Sequence, residues 1–585
     1  VSDAGPRPAA PWVLAQDGPR LLRFERPRQV IEARTVVDVA RAIQRSDAAL
    51  AAGHWVAGFL AYEAAGAFGL RTRSPDPDGP PLLWLGVFAA PKPTTLSAMA
   101  PEGRDAPAPP GLDEWLPSLD AAGHAATVAR LHEHIGAGDT YQVNFTFPLT
   151  AGLDGDPLAL FSRLVAAQRP PHAAYVDLGR FAVASASPEL FFRREGEMLT
   201  TRPMKGTAAR APTLEEDDQK AEDLRGSEKN RAENLMIVDM LRNDLGRVAE
   251  LGSVGVPALF EVERYPTLLQ MTSTVTARSG AHLSEILEAL FPCGSVTGAP
   301  KKRTMEIIAE RETAPRGVYT GTVGWASPDR RASFNVAIRT AVADRERRIL
   351  TYGVGSGIVA DSVAREEHAE CLLKARILEE RPFALLETLA LVPGCGYRRL
   401  EGHLERLRGS ARYFGVPLEE ERVRETLRET ASGIEAASRI RLLVHGDGRL
   451  DIEVCPLPLS RSGPVRVGLA TEPVDPRSVW LHHKTTRREA YDAALASRPD
   501  CDDALLWNAR GEVTESSIAN VVVQRDGRQV TPPTSSGLLA GVERSALLAE
   551  GRLEEGVVRV AELRRGQRIW LANSVRGLQE AEYVG

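Results

Sequence analysis

Pro382 is the position that most constrains what this chain can fold into. The run RILEE reads as the end of a helix, which must stop before a proline because the preceding residue is pushed out of the helical region, and FALLETLALVPGCG opens a strand-rich section. A domain boundary at about residue 380 follows, leaving residues 1–380 and 381–585 as separate domains. With 585 residues the chain is in any case too long for a single core. Hydrophobic residues make up 43% and charged residues 26%, the balance of an ordinary globular protein, and the net charge of −6 argues against a nucleic-acid partner. No run approaches the ~18 apolar residues of a membrane span, and VSDAGPRPAAPWVLAQDG lacks the basic-then-apolar order of a signal peptide. A cytoplasmic protein with no membrane partner is therefore expected. Cys293, Cys371, Cys395, Cys455 and Cys501 are scattered, odd in number and free of any CxxC pair, which indicates neither a disulfide framework nor a zinc site.

In the first domain the segment TTRPMKGTAAR places Lys205 between a proline turn and a Gly-Thr pair. Sixteen residues upstream, ASASPELFF contains Glu189, and the strand-like alternation predicts two adjacent strands that carry Glu189 and Lys205 into one cleft. An amine facing a carboxylic acid can do substitution chemistry, provided the amine is shifted from its usual pKa of ~10.4 by burial or a neighbouring cation. The bland alternative is a surface lysine after a turn. SEKNRAENLMIVDMLRNDLGRV has helical periodicity, with Leu235, Val238 and Leu241 or Met240 on one side and Glu233 near its start. EEHAECLLKARIL displays Glu367 and Glu370, three apart and so on one helix face. Carboxylates from two helices in one cleft would suit Mg²⁺, which prefers oxygen ligands; solvated helix faces would account for the same residues. The glycines of FPCGSVTGAPKKR and of TYGVGSGIVADS (Gly353, Gly355, Gly357) let backbone N–H groups approach an anion, although turn formation alone explains many such glycines. Residues 92–117, rich in Pro, Ala and Gly, read as a mobile surface excursion.

Taken in order, SPELF, RPMKGT, RAENLMIVDMLRNDLGRV, GSVTGAPK, NVAIRT and GSGIVADS resemble the chorismate-utilising enzymes over residues 10 to 380. The resemblance implies a large α/β sandwich of two packed sheets with helices, a Mg²⁺-dependent site and chorismate as substrate. At Lys205 the sequence is similar to the PIKGT of the aminodeoxychorismate synthase branch rather than the PIAGT of the anthranilate branch. Gln142 in YQVN stands where the isochorismate and salicylate branch carries a lysine base. The implied roles are Lys205 as covalent nucleophile, Glu189 as general acid, and Glu233, Glu367 and Glu370 as metal ligands. Arg339, Lys374, Thr297, Gln142 and the glycines at 353, 355 and 357 would bind substrate. Asn230 and Gln270 depart from the pattern, standing where relatives often have an acidic residue and many have histidine. Nothing in the chain resembles a glutamine amidotransferase, so a separate amidotransferase subunit supplying ammonia is the implied partner.

Beyond residue 380, FALLETLALVPGCGYRRLEGHLERLRGSARYFGVPL, LHHKTTRREAYDAAL, DDALLWNARGEVTESSIANVVV, PPTSSGLLAGVER and WLANSVRG together resemble the fold-type IV pyridoxal-phosphate enzymes. That likeness implies a two-subdomain α+β domain, admits a homodimer formed through it, and assigns Lys484 as the lysine that carries pyridoxal 5′-phosphate and later moves protons. Glu515 would pair with the pyridine nitrogen. Arg406, the backbone near Val542 and Glu543, and Ser574 would hold the cofactor phosphate. HHKTTRR departs from the lyase-like KTLDY pattern, so aminotransferase chemistry remains open beside elimination. Linkage in one chain favours a lyase that consumes what the first domain makes and releases 4-aminobenzoate. A half that only regulates or scaffolds has little reason to keep Lys205, Glu189, Lys484 and Glu515 together.

Overall fold

The structure is a computed structural model that describes residues 10–95, 114–379, 381–457 and 463–585. Most of the stretch expected to be a mobile excursion, residues 96–113, lies outside the described residues. Internal packing separates the chain into two units, Val1–Ala208 with Asp223–Arg381, and Ala209–Glu222 with Pro382–Gly585.

The first unit is built on two ten-stranded sheets. One runs Gly298–Ala299, Gln142–Gly152, Ile349–Ile358, Thr340–Asp344, Phe181–Ser187, His172–Asp177, Trp12–Asp17, Arg20–Glu25 and Lys92–Thr94, with Leu116–Pro117 beside Gln142–Gly152. The other runs Met204–Ala209, Leu268–Arg278, Met198–Arg202, Leu190–Glu195, Arg331–Val336, Thr322–Ala326, Trp55–Leu60, Leu83–Phe88 and Gln29–Ala33, with Gly255–Arg264 beside Leu268–Arg278. Alternate strand residues meet between the sheets: Val13, Phe24 and Val183 of one pack with Phe59, Trp84, Phe88 and Trp325 of the other. Helices cover the outer faces. Pro157–Gln168 and Ala364–Ala375 pack on the first sheet, and Val36–Ala51, Glu228–Gly246 and Leu283–Leu290 on the second. The two-sheet α/β sandwich implied by sequence is thus the fold found.

Helix Glu228–Gly246 begins where Ser227 accepts the Asn230 N–H, an N-cap that fixes its first turn. Its buried stripe is Ile237, Val238, Leu241 and Leu245. Leu235, expected on that side, is 44% exposed. Three-residue steps fall short of a helical turn by about 60°, so Leu235 lies roughly 120° round from Leu241 and leaves the stripe.

The second unit has a four-stranded antiparallel sheet, Gly396–Tyr397, Leu385–Val392, Ser438–Val444 and Leu450–Pro456, whose apolar face is covered by helices Leu400–Phe414 and Glu420–Ser432. An eight-stranded mixed sheet carries helices Glu489–Ala496 and Val542–Ala549. Residues Ala209–Glu222 also pack in this unit, although they follow directly from the strand of Lys205. Arg210 pairs with Asp217 at 2.7 Å, donates to the Tyr413 carbonyl at 2.7 Å and lies 4.0 Å from that tyrosine's ring centre. The Tyr413 ring in turn sits 4.2 Å from the ring of His483, the residue preceding Lys484.

Candidate active sites

Glu189 stands where the chain crosses from one sheet to the other, after strand Phe181–Ser187 and before Leu190–Glu195. Lys205 lies in strand Met204–Ala209, and the two strands are not neighbours as expected: Met198–Arg202 and Leu268–Arg278 lie between them. The alternation is correct for each strand, but the long return through Leu268–Arg278 inserts itself beside Lys205. Both side chains nevertheless line one cavity of about 350 Å³.

The electrostatics of that cavity run in opposite directions for the two groups. Burial lowers the Lys205 amine, reinforced by Lys374 and opposed by Glu233, Glu370 and Glu189. Burial raises Glu189 to about 7, eased by the Ser295 hydroxyl and by Lys205. One carboxyl oxygen of Glu189, Oε1, is buried without a hydrogen-bond partner. Burial thus pushes both groups toward their uncharged forms, the amine toward neutral and the acid toward protonated. A Cβ at Gly357 would lie 2.5 Å from Lys205 Nζ and 2.9 Å from Gln142 Nε2, so a side chain there would displace the ends of both. Gln142 is fully buried beside Lys205 with both amide atoms unpartnered.

Arg339, Lys374, Gly353, Gly355 and Gly357 line the same cavity, but Thr297 and Gln142, both expected to bind substrate, do not. The Thr297 hydroxyl donates to the carbonyls of Cys293 and Gly294 at 3.3 and 3.1 Å and is consumed by its own turn. Arg339 is buried, which lowers its pKa, and it donates to Gln168. Of the two departures noted in sequence, Gln270 reinforces the nucleophile strand, donating to the Gly206 carbonyl at 2.8 Å and accepting from Thr207 at 3.1 Å, while Asn230 turns to its own helix start and donates to Ser227 at 2.9 Å. Ser295, Tyr319 and Lys229 also line the cavity; of these only Ser295 carries a sequence cue, its place in the GSVTGAPK run.

Glu233, Glu367 and Glu370 face this cavity from two helices, as expected, yet they are not gathered as metal ligands. Among the described residues no group of three or more His, Cys, Asp and Glu side chains is placed to hold a metal ion. Glu370 pairs with Lys374 at 2.7 Å, and that pairing outweighs burial to lower its pKa; Glu367 accepts from Ser362 at 2.6 Å. Burial raises Glu233. Helical spacing placed these carboxylates on one wall, but the i,i+4 lysine captures one of them.

The second cavity, also about 350 Å³, is lined by Lys484, Glu515, Arg406, Val542 and Ser574. Burial and Arg406 lower Lys484 to about 8. Burial raises Glu515 to about 7 against the hydrogen bonds it accepts: Tyr491 Oη at 2.8 Å, the Leu539 N–H at 2.9 Å and Asn520 Nδ2 at 3.3 Å. Tyr491 lies seven residues after Lys484, in helix Glu489–Ala496, and Asn520 closes the TESSIAN run. Arg406 is held by both oxygens of Glu387, at 2.9 and 2.7 Å; burial would raise that carboxyl, but Arg406 and His403 hold it down at about 2. Gly541 precedes helix Val542–Ala549, whose first N–H groups open toward the cavity end near Arg406 and Ser574, a setting suited to a phosphate. Glu543 does not line the cavity; its carboxylate is buried against Arg398 and Arg399 at 2.9 and 2.7 Å. A buried amine, a titratable buried acid and an anion-binding helix start in one cavity fit pyridoxal 5′-phosphate.

Residues 9–380 match the family model described as chorismate binding enzyme. The chain belongs to that family. Residues 384–582 match the model described as amino-transferase class IV, which implies pyridoxal phosphate for the second domain of this chorismate-binding enzyme. It is 40% identical to aminodeoxychorismate synthase component 1 of Klebsiella aerogenes over 303 residues, 51% of this chain and 64% of that protein. It is 41% identical to anthranilate synthase component 1 of Streptomyces coelicolor over 293 residues, 49% of this chain and 57% of that protein. This chain therefore spans less than two thirds of these curated relatives. Among solved structures, anthranilate synthase component I from Streptococcus pneumoniae superposes with a TM-score of 0.50 at 25% identity, covering 65% of this chain and 94% of the other. Among the described residues no helix is long and apolar enough to cross a membrane.

Proposed function

We propose that this chorismate-binding enzyme makes 4-aminobenzoate in two steps, amination of chorismate in the first cavity and pyruvate elimination in the second. The observation that carries this reading is the pairing in one cavity of a buried, pKa-lowered Lys205 with a buried, pKa-raised Glu189 that has an open oxygen. Overall identity to relatives does not separate amination at C4 from anthranilate formation, because relatives of both names match at similar levels. Lys205 does, since the anthranilate branch has alanine there.

Neutral Lys205 attacks C2 of the chorismate ring as Glu189 delivers its proton to the departing 4-hydroxyl, which leaves as water as both ring double bonds shift toward C4. Ammonia then bonds to C4, both double bonds shift back, and Lys205 is expelled from C2 as the free amine. Covalent catalysis here splits one difficult substitution into two easier ones. Arg339, Lys374 and the backbone around Gly353, Gly355 and Gly357 receive the substrate carboxylates. Glu233, Glu367 and Glu370 would supply an oxygen-only set for Mg²⁺ if Glu370 left Lys374 and Glu367 left Ser362. A separate amidotransferase subunit supplies the ammonia, and the reactions take place in the cytoplasm.

In the second cavity, bound pyridoxal phosphate supplies an electron sink for the electrons released at the amine-bearing carbon. Lys484 is placed to take the C4 proton, which starts loss of the enolpyruvyl group and aromatisation of the ring. Glu515, pinned by Tyr491 and the Leu539 N–H, would hold the pyridine end, while Arg406, Ser574 and the backbone at Val542 would hold the phosphate. The second reading, a class IV aminotransferase, rests on the matched family description and requires an α-keto acid. The whole chain incubated with chorismate, ammonia, Mg²⁺ and pyridoxal phosphate is expected to yield 4-aminobenzoate and pyruvate without a keto acid. Accumulation of aminodeoxychorismate under those conditions refutes the lyase assignment, and no amination refutes the first step.

A further inference from the structure

The second cavity holds more positive charge than its cofactor needs. Its wall includes Arg406, Arg439, Arg441, Arg487, Arg488 and Arg576, against a single lining carboxylate, Glu515. Most of these cations are already answered. Arg406 is gripped by Glu387, Arg441 pairs with Glu453 at 2.8 Å, Arg487 with Glu489 at 2.7 Å, and Arg488 donates to the Ser517 carbonyl at 2.7 Å. Arg439 is different. Its Nε is buried without a hydrogen-bond partner, and among the described residues the ion pair of its strand is made by Arg441 alone.

The strand Ser438–Val444 explains where this side chain goes. Ser438, Ile440, Leu442 and Val444 are buried, the last three in the core beneath helices Leu400–Phe414 and Glu420–Ser432. Side chains alternate across a strand, so Arg439 and Arg441 must take the opposite face. That face is a cavity wall, shared with Leu386 and Thr388 of the adjoining strand, where Thr388 stands directly opposite Arg441. Both arginines therefore leave the helix-covered core and enter the cavity from the four-stranded sheet. The phosphate-binding elements, helix Val542–Ala549 and Ser574, come from the other sheet or its connections.

A part-buried guanidinium with an unanswered donor is costly unless an anion completes it. The cofactor phosphate already has Arg406, Ser574 and the helix start. We propose that Arg439 is a specificity-determining residue of the second domain, receiving a second carboxylate of a substrate that carries two. This deepens the lyase reading and rests on it: an ordinary monocarboxylate amino acid would leave Arg439 unanswered, whereas an aminated ring carrying both a ring carboxylate and an enolpyruvyl carboxylate answers it. Arg441, restrained by Glu453, provides a charged floor beside it rather than a free receiver.

The test uses the cofactor-loaded full chain and two dead-end probes, 3-(1-carboxyethoxy)benzoate with two carboxylates and 3-ethoxybenzoate with one, titrated by calorimetry. The dicarboxylate is expected to bind about tenfold or more tightly, the order of one charge-assisted hydrogen-bonded pair. Arg439→Gln should erase that difference while the cofactor absorbance and the affinity for 3-ethoxybenzoate are kept, and Arg439→Lys should restore part of it. Equal binding of the two probes to the parent chain, or a preference unchanged in Arg439→Gln, overturns the proposal. Loss of cofactor absorbance in Arg439→Gln would also overturn it, because Arg439 would then serve the cofactor. Failure of the lyase reading is seen separately, as absence of pyruvate release from aminodeoxychorismate by the parent chain whatever the probes do.

Discussion

Each cavity sets a half-buried lysine with a buried glutamate raised to about 7, and the two glutamates differ in what holds them. Glu189 keeps one oxygen free of any partner, whereas Glu515 has donors from Tyr491, Leu539 and Asn520 on both oxygens. A carboxyl with an open oxygen can hand over a proton; a carboxyl pinned on both sides can only hold a charge in place. The surroundings differ in the same sense. Lys205 sits among carboxylates and one competing lysine, while Lys484 sits in a wall of arginines. The same residue pair thus becomes a nucleophile with its acid in one place and a cofactor anchor in the other.

The sharpest way to break this comparison is to remove each lysine. Lys205→Ala should lower amination by about 10³-fold or more, the scale of losing a nucleophile, and leave cofactor binding intact. Lys484→Ala should leave amination unchanged and stop the chain at aminodeoxychorismate, read by product analysis. Glu189→Gln should cost ~10²-fold or more in amination. In the parent chain amination should fall as pH rises through about 7, because burial keeps Glu189 protonated only up to there, and the glutamine variant should lack that alkaline fall. For Lys484 the sign is opposite: burial and Arg406 lower its pKa to about 8, so the cofactor-free chain should take up pyridoxal phosphate faster as pH rises through about 8, followed by absorbance. The smallest effect is expected from Tyr491→Phe, which removes one of three donors to Glu515 and should slow elimination by roughly fivefold, about 1 kcal/mol, with no effect on amination.

The sandwich architecture was legible through the family resemblance of ordered runs, and most residues of both cavities through the same short runs, which place Lys205, Glu189, Lys484 and Glu515; periodicity alone marked individual strands and helices. What escaped the sequence depends on distant partners. Spacing shows that Glu367 and Glu370 share a face but not that Lys374 occupies Glu370. Thr297 and Glu543 belong to runs whose other members line the cavities, yet a turn consumes the first and Arg398 with Arg399 the second. No local pattern reveals that Ala209–Glu222 packs in the second unit through Arg210 and Tyr413, nor that Leu268–Arg278 inserts beside the Lys205 strand. Sheet order and burial are settled by pairings hundreds of residues apart, which no window along the chain contains.

The account turns on Lys205 as a nucleophile, and trapping its adduct tests this most directly. The full chain mixed with chorismate and Mg²⁺, with ammonia withheld, is quenched and digested, and the peptide containing Lys205 is weighed by mass spectrometry. The account predicts a gain equal to chorismate less one water on Lys205, absent after Lys205→Ala and discharged by ammonia. An adduct on another residue, or amination undiminished in Lys205→Ala, would contradict it.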